Sequence, residues 1–330
     1  MIINATHIGK HIDGIGRFSL LLAKYFLKKH KVIINKTAKS YFTLEELKHV
    51  IIADFSISPD FGFKGHLKRL LFTNTLKEPI FNLSQLEVSF FNTKQIVVVH
   101  DIIPLLFPQY HKKQYHYFKY ILPFVLKRVQ KIITVSNHTK EMLTKYYNIK
   151  EEKITVIYNG INLPKEEDIE KEDYILFVGR DSPTKNIDNL IKAFNKIENR
   201  QYKLYLVGVQ REFNNPNIKA FGYITDDELD QLYKKAKMFI LPSLYEGFGY
   251  PVIEAMARKT AVITSNISSL PEICGDSAIY IDPYNVEDIV SKIDFLIKNP
   301  KKREELEKKG FRRAQMFSIE NMLREYDNNI

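Results

Sequence analysis

The sequence has a single cysteine, Cys274, and no uninterrupted apolar run of about 18 residues. A lone cysteine cannot form an intramolecular disulfide, and the short apolar runs predict no membrane-spanning helix. The first residues, MIINATHIGK, lack the pattern of a secretory signal peptide. We therefore expect a cytoplasmic chain, and its 45% apolar content is enough for two packed cores.

Metal-binding patterns are also missing. No Asp-x-Asp occurs in the chain, and no group of His and Cys has the spacing of zinc ligands. The sequence therefore predicts neither a metal nor another cofactor.

Acidic residues are scarce in the first half. Residues 1–164 contain 24 Lys and Arg against 11 Asp and Glu, a net charge of +13, whereas the remainder has 25 against 28, a net charge of −3. The excess predicts an anionic partner, namely a nucleic acid, a phospholipid surface or a phosphorylated substrate, with generic solubility as the alternative. Signatures of nucleic-acid-binding elements are absent, so we expect no nucleic-acid partner.

Short β-branched runs alternate with helical patterns along the chain. The strand candidates are KVIIN, HVIIA, QIVVVH, KIITV and KITVIYN in the first half, and DYILFVG, YKLYLVG, KMFILPS, TAVITS and SAIYID in the second. The first helix is predicted to bury one stripe, formed by Phe18, Leu21, Leu22, Tyr25 and Phe26. This alternation predicts an α/β chain of two Rossmann-like domains, residues 1–164 and 165–315.

Polar residues and glycines follow the predicted strands. They are His100, Asp101, Ser136, Gly160, Gly179, Arg180, Gly208, Ser243 and Ser265. Parallel sheets bind ligands beyond the carboxyl ends of their strands. We therefore expect a ligand cleft with the two parallel sheets facing each other across it.

Two stretches of the second half carry the candidate binding groups. In GRDSPTKN, Arg180 and Lys185 stand between a strand and a helix, where amide groups and the helix dipole favour an anion such as a diphosphate. In EGFGYPVIE, Glu246 precedes a helix that carries Glu254, so the two carboxylates are free to bind different hydroxyls of one ligand. A solvated loop and a capped helix are the alternatives.

Several segments together resemble the retaining, nucleotide-sugar-dependent glycosyltransferases of family 4, which have the GT-B architecture. They are ITVSNHTKEML, VIYNGI, FVGRDSPTKNIDNLIKAF, PSLYEGFGYPVIEAMA and SSLPEICGDSAIYIDP. The resemblance covers roughly residues 95–325 and the stretch GIGRF at 14–18. The spacing of Glu246 and Glu254, with seven residues between them, is its strongest signal.

The resemblance implies a role for each candidate site residue. Glu246 contacts the donor sugar, Glu254 contacts the nucleotide ribose, Arg180 and Lys185 hold the diphosphate, and His100 lines the sugar pocket. The implied catalytic residues are Glu246, His100, Arg180 and Lys185. The implied donor-binding residues are Gly14, Gly16, Gly179, Arg180, Lys185, Gly247, Phe248, Gly249 and Glu254.

The stretch VVVHDIIPLLFP is similar to the branch with many mannosyltransferases of bacterial surface polysaccharides such as lipopolysaccharide. It implies transfer of a hexose from a GDP- or UDP-sugar to a glycan or lipid-linked acceptor, with mannose favoured over glucose, galactose and N-acetylglucosamine. A catalytically silent sugar-nucleotide-binding protein and a GT-B epimerase remain alternatives. Residues 36–94 match the family weakly, and Arg258 to Ala261 depart from its usual turn after the glutamate helix.

Two basic segments with interleaved aromatic residues, 61–72 and 110–130, fit an anionic membrane or a wet helix face. Family members with lipid-linked acceptors favour the membrane, which places the chain peripherally on the inner face of the cytoplasmic membrane. The last segment, 316–330, is predicted to form a helix capped by Ser318 that crosses back to the first domain. Ile319, Met322 and Leu323 are expected to bury one face of it partly against the first domain, while a hinge near 160–172 lets the domains close.

Overall fold

The computed structural model describes residues 1–10, 12–55, 63–167 and 169–330, although not the side chains of residues 63 and 64. The first two positions of the predicted basic segment 61–72, and residue 168 of the predicted hinge, lie outside the described residues. The chain forms two compact units. The first unit contains Met1–Tyr158 and Leu323–Ile330, and the second contains Asn159–Met322. The division thus falls six residues before the predicted domain boundary, and only the last part of the predicted crossing helix groups with the first unit.

The sheet of the first unit is parallel throughout. Its described strands are β1 (Ile2–Asn4), β2 (Lys31–Asn35), β3 (Val50–Ala53), β4 (Ile80–Asn82), β5 (Gln95–Val99), β6 (Lys131–Thr134) and β7 (Ile154–Val156). They lie in the order β3-β2-β1-β4-β5-β6-β7. The direction of winding therefore reverses between β1 and β4, which is the topological switch point of a doubly wound fold.

The helices of the first unit are α1 (Gly14–Phe26), α2 (Leu44–Leu47), α3 (Phe63–Thr73), α4 (Ile103–Leu106), α5 (Lys112–His116), α6 (Leu122–Leu126) and α7 (Asn137–Tyr147). Phe18, Leu22 and Phe26 of α1 are buried as expected, whereas Leu21 and Tyr25 are only partly buried. The buried stripe is therefore narrower than the sequence predicts.

The second unit repeats the same arrangement. Its described strands are β8 (Glu172–Val178), β9 (Lys203–Val207), β10 (Ile218–Gly222), β11 (Ala236–Leu241), β12 (Ala261–Ser265) and β13 (Ala278–Ile281). They are parallel in the order β10-β9-β8-β11-β12-β13, so the switch point lies between β8 and β11. The α/β fold with two Rossmann-like parallel sheets is confirmed.

The helices of the second unit are α8 (Ile187–Phe194), α9 (Asp226–Lys235), α10 (Tyr250–Met256), α11 (Leu270–Cys274), α12 (Val286–Lys298) and α13 (Pro300–Ala314), and α14 (Ile319–Asn329) follows them. None of the described helices combines the length and the apolarity needed to cross a lipid bilayer.

The turn at Gly160 joins the two ends of the second unit. The Ile161 amide donates to the Phe317 carbonyl at 2.8 Å, and the Ile319 amide donates to the Ile161 carbonyl at 3.2 Å. A Cβ at Gly160 would lie 2.7 Å from the Cα of Ile319, so only glycine fits this contact.

Helix α14 begins as predicted, because the Ser318 hydroxyl accepts a hydrogen bond from the Asn321 amide at 3.1 Å. Its buried face differs from the expected one. Met322 and Tyr326 are buried, whereas Ile319 and Leu323 are only partly buried. Within the first unit, the centroid of the Tyr326 ring lies 5.9 Å from the ring centroids of both Phe18 and Phe81.

Candidate active site

The two stretches that carry the candidate binding groups flank the switch point of the second sheet. Residues 179–186 follow β8, and residues 242–249 follow β11, and these two strands are neighbours. In doubly wound sheets this position is where ligands bind. The segment after β9 packs closely on the first of these loops, since a Cβ at Gly208 would lie 2.6 Å from the Gly179 carbonyl oxygen, and Gly208 has a φ of +84°.

Lys185 and Glu246 form an ion pair at this position. The Lys185 Nζ lies 2.5 Å from the Glu246 Oε1, and the Ser243 hydroxyl donates to the same oxygen at 2.6 Å. Both side chains are largely buried, with 20% and 12% of their surfaces exposed. The structure therefore brings a predicted phosphate-binding cation and a predicted sugar-binding carboxylate into direct contact.

Hydrogen bonds fix the two loops to each other. The Leu244 amide donates to the Thr184 carbonyl at 2.7 Å, and the Asn186 side-chain amide donates to the Pro242 carbonyl at 3.1 Å. Asn186 has a φ of +59°, a left-handed conformation that asparagine tolerates better than most residues. The ion pair is thus held by a preformed loop structure.

A third loop, before α11, supports Glu246 from the other side. The Glu246 amide donates to the Ser268 hydroxyl at 3.1 Å. The Ser269 hydroxyl donates to the carbonyls of Glu246 at 3.0 Å and Phe248 at 2.9 Å. This stretch belongs to the family resemblance, but no sequence pattern predicts its contacts with residues 246–248.

The other candidate residues of the second unit lie around this pair. Arg180 is exposed on the same loop as Lys185, and Gly247 and the buried Phe248 continue the glutamate loop. Gly249 precedes α10 with a φ of +105°, and a Cβ there would lie 2.9 Å from the Leu270 side chain. Glu254 lies on α10, and the Tyr233 hydroxyl donates to its Oε2 at 3.0 Å.

His100 lies in the first unit, at the end of β5. Its Nε2 is 3.0 Å from the Leu83 carbonyl oxygen, so this nitrogen carries the proton and donates. Burial, reinforced by nearby His7, lowers the pKa of His100 to about 4. His100 is therefore neutral at neutral pH and does not act as a cation.

Gly14 and Gly16 lie at the start of α1 in the first unit. The Gly16 amide donates to the Asp13 carboxylate at 3.0 Å, which caps the helix. The amide of this predicted donor-binding residue is therefore already paired with an acid. To serve a phosphate it would have to exchange this partner.

A buried pair that sequence reasoning missed lies at the switch point of the first sheet. The Nδ1 of His7, after β1, is 2.8 Å from the Oε2 of Glu87, after β4, and their side chains are 4% and 0% exposed. The Thr6 hydroxyl donates to the other Glu87 oxygen at 2.9 Å. The partners are 80 positions apart in the sequence, and no local pattern links them.

Across the described ranges, no three His, Cys, Asp or Glu side chains form a group that could hold a metal ion. The structure thus unites Lys185 and Glu246, with Arg180, Gly179, Phe248 and Glu254 on adjoining segments of the second unit. His100, Gly14 and Gly16 belong to the first unit.

Two family models match the chain. The model of Glycosyltransferase Family 4 matches residues 12–165, and that of glycosyl transferases group 1 matches residues 161–313. Together the two matches cover residues 12–313, including the two loops at the switch point of the second sheet.

Named relatives and solved structures agree with these models. The chain is 30% identical over 312 residues to the O-antigen chain mannosyltransferase RfbU of Salmonella typhimurium strain LT2, with 86% of this chain and 87% of RfbU covered. The crystal structure of WaaG, a glycosyltransferase involved in lipopolysaccharide biosynthesis, matches with a TM-score of 0.80 at 12% identity, covering 99% of each chain. HepE from Anabaena, crystallised with UDP and glucose, matches with a TM-score of 0.78 at 18% identity, covering 99% of this chain and 98% of HepE.

Proposed function

This chain belongs to family 4 of the glycosyltransferases and transfers glycosyl groups, and from that premise we propose which sugar it moves and how. The proposed reaction transfers mannose from a nucleoside diphosphate sugar to a glycan or lipid-linked acceptor, with retention of the anomeric configuration. The relatives named as mannosyltransferases support the sugar. The UDP and glucose held by HepE support the type of donor.

The observation that carries the proposal is the Lys185–Glu246 ion pair at the switch point of the second sheet. A nucleoside diphosphate sugar offers both groups a better partner. Its phosphate oxygens accept hydrogen bonds from the Lys185 ammonium and the Arg180 guanidinium, while its sugar hydroxyls donate to the Glu246 carboxylate. Donor binding therefore replaces one internal ion pair with interactions on both sides of the sugar–phosphate bond.

The same groups stabilise the transition state. Breaking the sugar–phosphate bond builds negative charge on the leaving phosphate while the anomeric carbon becomes oxocarbenium-like. Fixed cations beside that phosphate bind the transition state more strongly than the ground state. In the proposed reaction the acceptor hydroxyl attacks from the face that the nucleotide leaves, and a leaving-phosphate oxygen takes its proton. Because burial keeps the His100 ring neutral, this residue contributes no charge in this scheme.

A donor panel tests the proposal without a known acceptor. The purified chain is incubated with GDP-mannose, UDP-glucose, UDP-galactose and UDP-N-acetylglucosamine, and slow release of nucleoside diphosphate is measured. We expect GDP-mannose to be hydrolysed fastest, with the α-anomer seen first by NMR. Faster release from another sugar would contradict mannose, and the β-anomer would contradict retention.

Two outcomes separate the alternative functions. Binding of a donor without any release, even when extracts containing glycan and lipid acceptors are added, would identify a silent sugar-nucleotide-binding protein. Interconversion of the donor sugar without an acceptor would identify an epimerase.

We also propose that the first unit contacts an anionic membrane surface. The two basic segments pack together, because the His66 ring of α3 meets the Tyr117 ring edge-on at 4.5 Å, and Leu70 belongs to the same core cluster as Phe118. Large apolar side chains on this pair of segments are exposed: Leu67, Leu71, Tyr120, Ile121 and Phe124. Exposed cations accompany them: Lys68, Lys112, Lys113, Lys119, Lys127 and Arg128. We call these residues the basic face.

Charge complementarity favours a lipid surface as the partner of the basic face. Each Lys or Arg near an anionic membrane contributes about 1 kcal/mol of binding, and exposed aromatic rings enter the headgroup region. Sedimentation with vesicles of phosphatidylcholine containing phosphatidylglycerol measures this binding, and pure phosphatidylcholine vesicles are the reference. We expect binding to the anionic vesicles only.

Replacing Lys119, Lys127 and Arg128 by Gln should weaken that binding by about 100-fold, as expected from the loss of about 3 kcal/mol. The matched control is Lys145→Gln, since Lys145 also lies over an exposed ring, that of Tyr146, in the same unit. A loss of about fivefold in the control, the share of one charge, would show general electrostatic attraction rather than a docking face. An absence of wild-type binding would contradict membrane contact.

A further inference from the structure

The Glu254 carboxylate accepts a hydrogen bond from a buried tyrosine. The Tyr233 hydroxyl, on α9, donates to the Glu254 Oε2 at 3.0 Å, and Tyr233 is 1% exposed. Glu254 itself is only partly buried on α10. We propose that Tyr233 is a positioning residue that fixes the Glu254 carboxylate for the ribose of the nucleotide donor, and so sets the preference for a ribonucleotide. This inference rests on the proposed function, which assigns Glu254 to the ribose.

The residues that depart from the usual family turn secure Tyr233 in its place. The Thr260 hydroxyl donates to the Tyr233 carbonyl at 2.6 Å. The Arg258 side chain lies over the Tyr233 ring, with its guanidinium carbon 5.5 Å from the ring centroid. Between these two, Lys259 takes a left-handed φ of +51°. The departure at this turn, which in the sequence is only a mismatch to the family pattern, thus builds a support for Glu254.

Arg258 also ties the helices that carry the two partners. Its Nε donates to the Asp230 carboxylate of α9 at 2.7 Å, and its Nη1 donates to the Glu254 carbonyl of α10 at 3.0 Å. Asp230 is further paired with Lys234 at 2.9 Å. The distance between Tyr233 and Glu254 is therefore fixed by backbone and side-chain bonds, independently of any ligand.

A fixed carboxylate binds a diol better than a mobile one. An ionised carboxylate accepts about four hydrogen bonds, so one from Tyr233 leaves capacity for the two ribose hydroxyls. Without the tyrosine hydroxyl, the Glu254 side chain must lose rotamer freedom on binding, which reduces affinity for groups that contact it. The loss is confined to ligands that have ribose hydroxyls.

The experiment compares ribonucleotides with nucleotides that lack these hydroxyls. Calorimetry on the full chain measures the Kd of GDP and UDP, and of their 2′,3′-dideoxy counterparts. For Tyr233→Phe we expect about tenfold weaker binding of the tighter ribonucleotide and unchanged binding of its dideoxy form. In transferase assays the KM for the donor should rise by a similar factor, while kcat stays constant.

The matched control is Tyr174→Phe. Tyr174 is also buried, and its hydroxyl donates to the Leu232 carbonyl of the same helix α9 at 2.6 Å. Its loss should leave the ratio of ribo to dideoxy affinities unchanged. An equal fall of the ratio in both variants would mean that loosening α9 causes the effect, and would overturn the inference.

Glu254→Ala distinguishes failure of the inference from failure of the proposed function. If Glu254→Ala abolishes the ratio while Tyr233→Phe preserves it, Glu254 binds ribose without help from Tyr233 and the inference is wrong. If Glu254→Ala preserves the ratio, the ribose assignment itself is wrong, and the inference falls with it. Should Tyr233→Phe fail to fold, Thr260→Val replaces it, with a smaller fall of the ratio expected and an unchanged ratio contradicting the inference.

Discussion

The two sheets share one strand order, yet polar groups are buried in different parts of the two units. In the first unit they begin within the central strands, where Asn4 of β1 donates to Asn82 of β4 at 3.0 Å, and continue after those strands as the His7–Glu87 pair. In the second unit they lie in the loops after the strands, around Lys185 and Glu246. A similar framework therefore supports an internal polar network in one unit and the proposed binding site in the other.

This difference explains why the candidate residues of the second unit are easier to find from the sequence than the buried polar pairs of the first. The contacts of the second unit connect short loops, each of which is one stretch of glycine, serine and charged residues. In the first unit the partners are 78 to 83 positions apart, as for Asn4 with Asn82 and with the Glu87 carbonyl. Lys185 and Glu246 are also distant, at 61 positions, but each stands in a recognisable stretch, whereas Asn4, Asn82 and Glu87 stand in none.

The largest expected effect is the loss of a cation from the proposed site of the second unit. Arg180→Ala or Lys185→Ala should lower turnover by about 100-fold or more, the scale for removing one group that stabilises transition-state charge. Initial rates with the preferred donor measure it. Arg211→Ala is the control, because Arg211 is a neighbouring cation that is paired with Asp181 and Asp188. Near-wild-type rates for Lys185→Ala would contradict the proposed role of Lys185 at the phosphate.

Acid should weaken the first unit before the second. Burial lowers the pKa of His66 and of His100 to about 4, and residues 159–322 contain no histidine. The unfolded chain binds these protons near pH 6.5, whereas the folded chain binds them near pH 4. The stability they contribute is therefore complete above pH 6.5 and is lost as the pH falls toward 4, by up to about 3 kcal/mol for each histidine.

Hydrogen exchange at pH 7.5 and pH 5 locates this loss. Peptides of β5 and β6 should lose protection, while those of β11 and β12 should keep it. His66→Phe should show a smaller pH dependence, whereas His49→Gln, at an exposed position, should behave like the wild type. Earlier loss in the second unit would reverse the comparison.

Replacing a glycine by alanine should lower the free energy of unfolding at Gly208 in the second unit and raise it at Gly65 in the first. Gly208→Ala places a Cβ 2.6 Å from the Gly179 carbonyl at a φ of +84°, so we expect a loss of about 1–3 kcal/mol in the free energy of unfolding. Gly65→Ala lies in α3 with no atom within 4 Å of the added Cβ, so a gain of about 0.5–1 kcal/mol is expected. Urea unfolding measures both, and a neutral Gly208→Ala would show that the loops yield easily.

The smallest expected effect is that of metal removal. We expect the positive charges of Lys185 and Arg180 at the phosphate to make a metal ion unnecessary, so treatment with EDTA should leave the rate unchanged. Activity that disappears with EDTA and returns only with Mg²⁺ or Mn²⁺ would contradict metal independence.

Most of the fold could be predicted from the sequence, and the failures have specific causes. All ten predicted strands form, whereas β1, β4 and β10 were missed. β1 and β4 are three residues long and each ends in a buried asparagine, a residue that is unfavourable in strands. The bond between Asn4 and Asn82 compensates for this, and it exists only once the two strands are adjacent.

The candidate site shows the same limit. The roles of Arg180, Lys185, Glu246 and Glu254 came from the family resemblance and stay predictions. Their supports did not come from it, because Ser269 and Tyr233 contact the glutamates only through tertiary packing. The narrower stripe on α1 has a similar cause, since Tyr25 is drawn toward the surface by Asp327 of α14.

The position of Tyr326 also bears on how the protein is made. Its ring closes the core of the first unit against Phe18 and Phe81, and the Phe317 carbonyl closes the turn of the second unit at Ile161. At a synthesis rate of about 5–20 residues per second, the ribosome reaches Tyr326 roughly 10–30 s after Tyr158. During that interval the site for Tyr326 stays open as an exposed apolar surface on the nascent chain. Protection by a chaperone would therefore be useful throughout this interval, from the formation of the first sheet until Tyr326 is made.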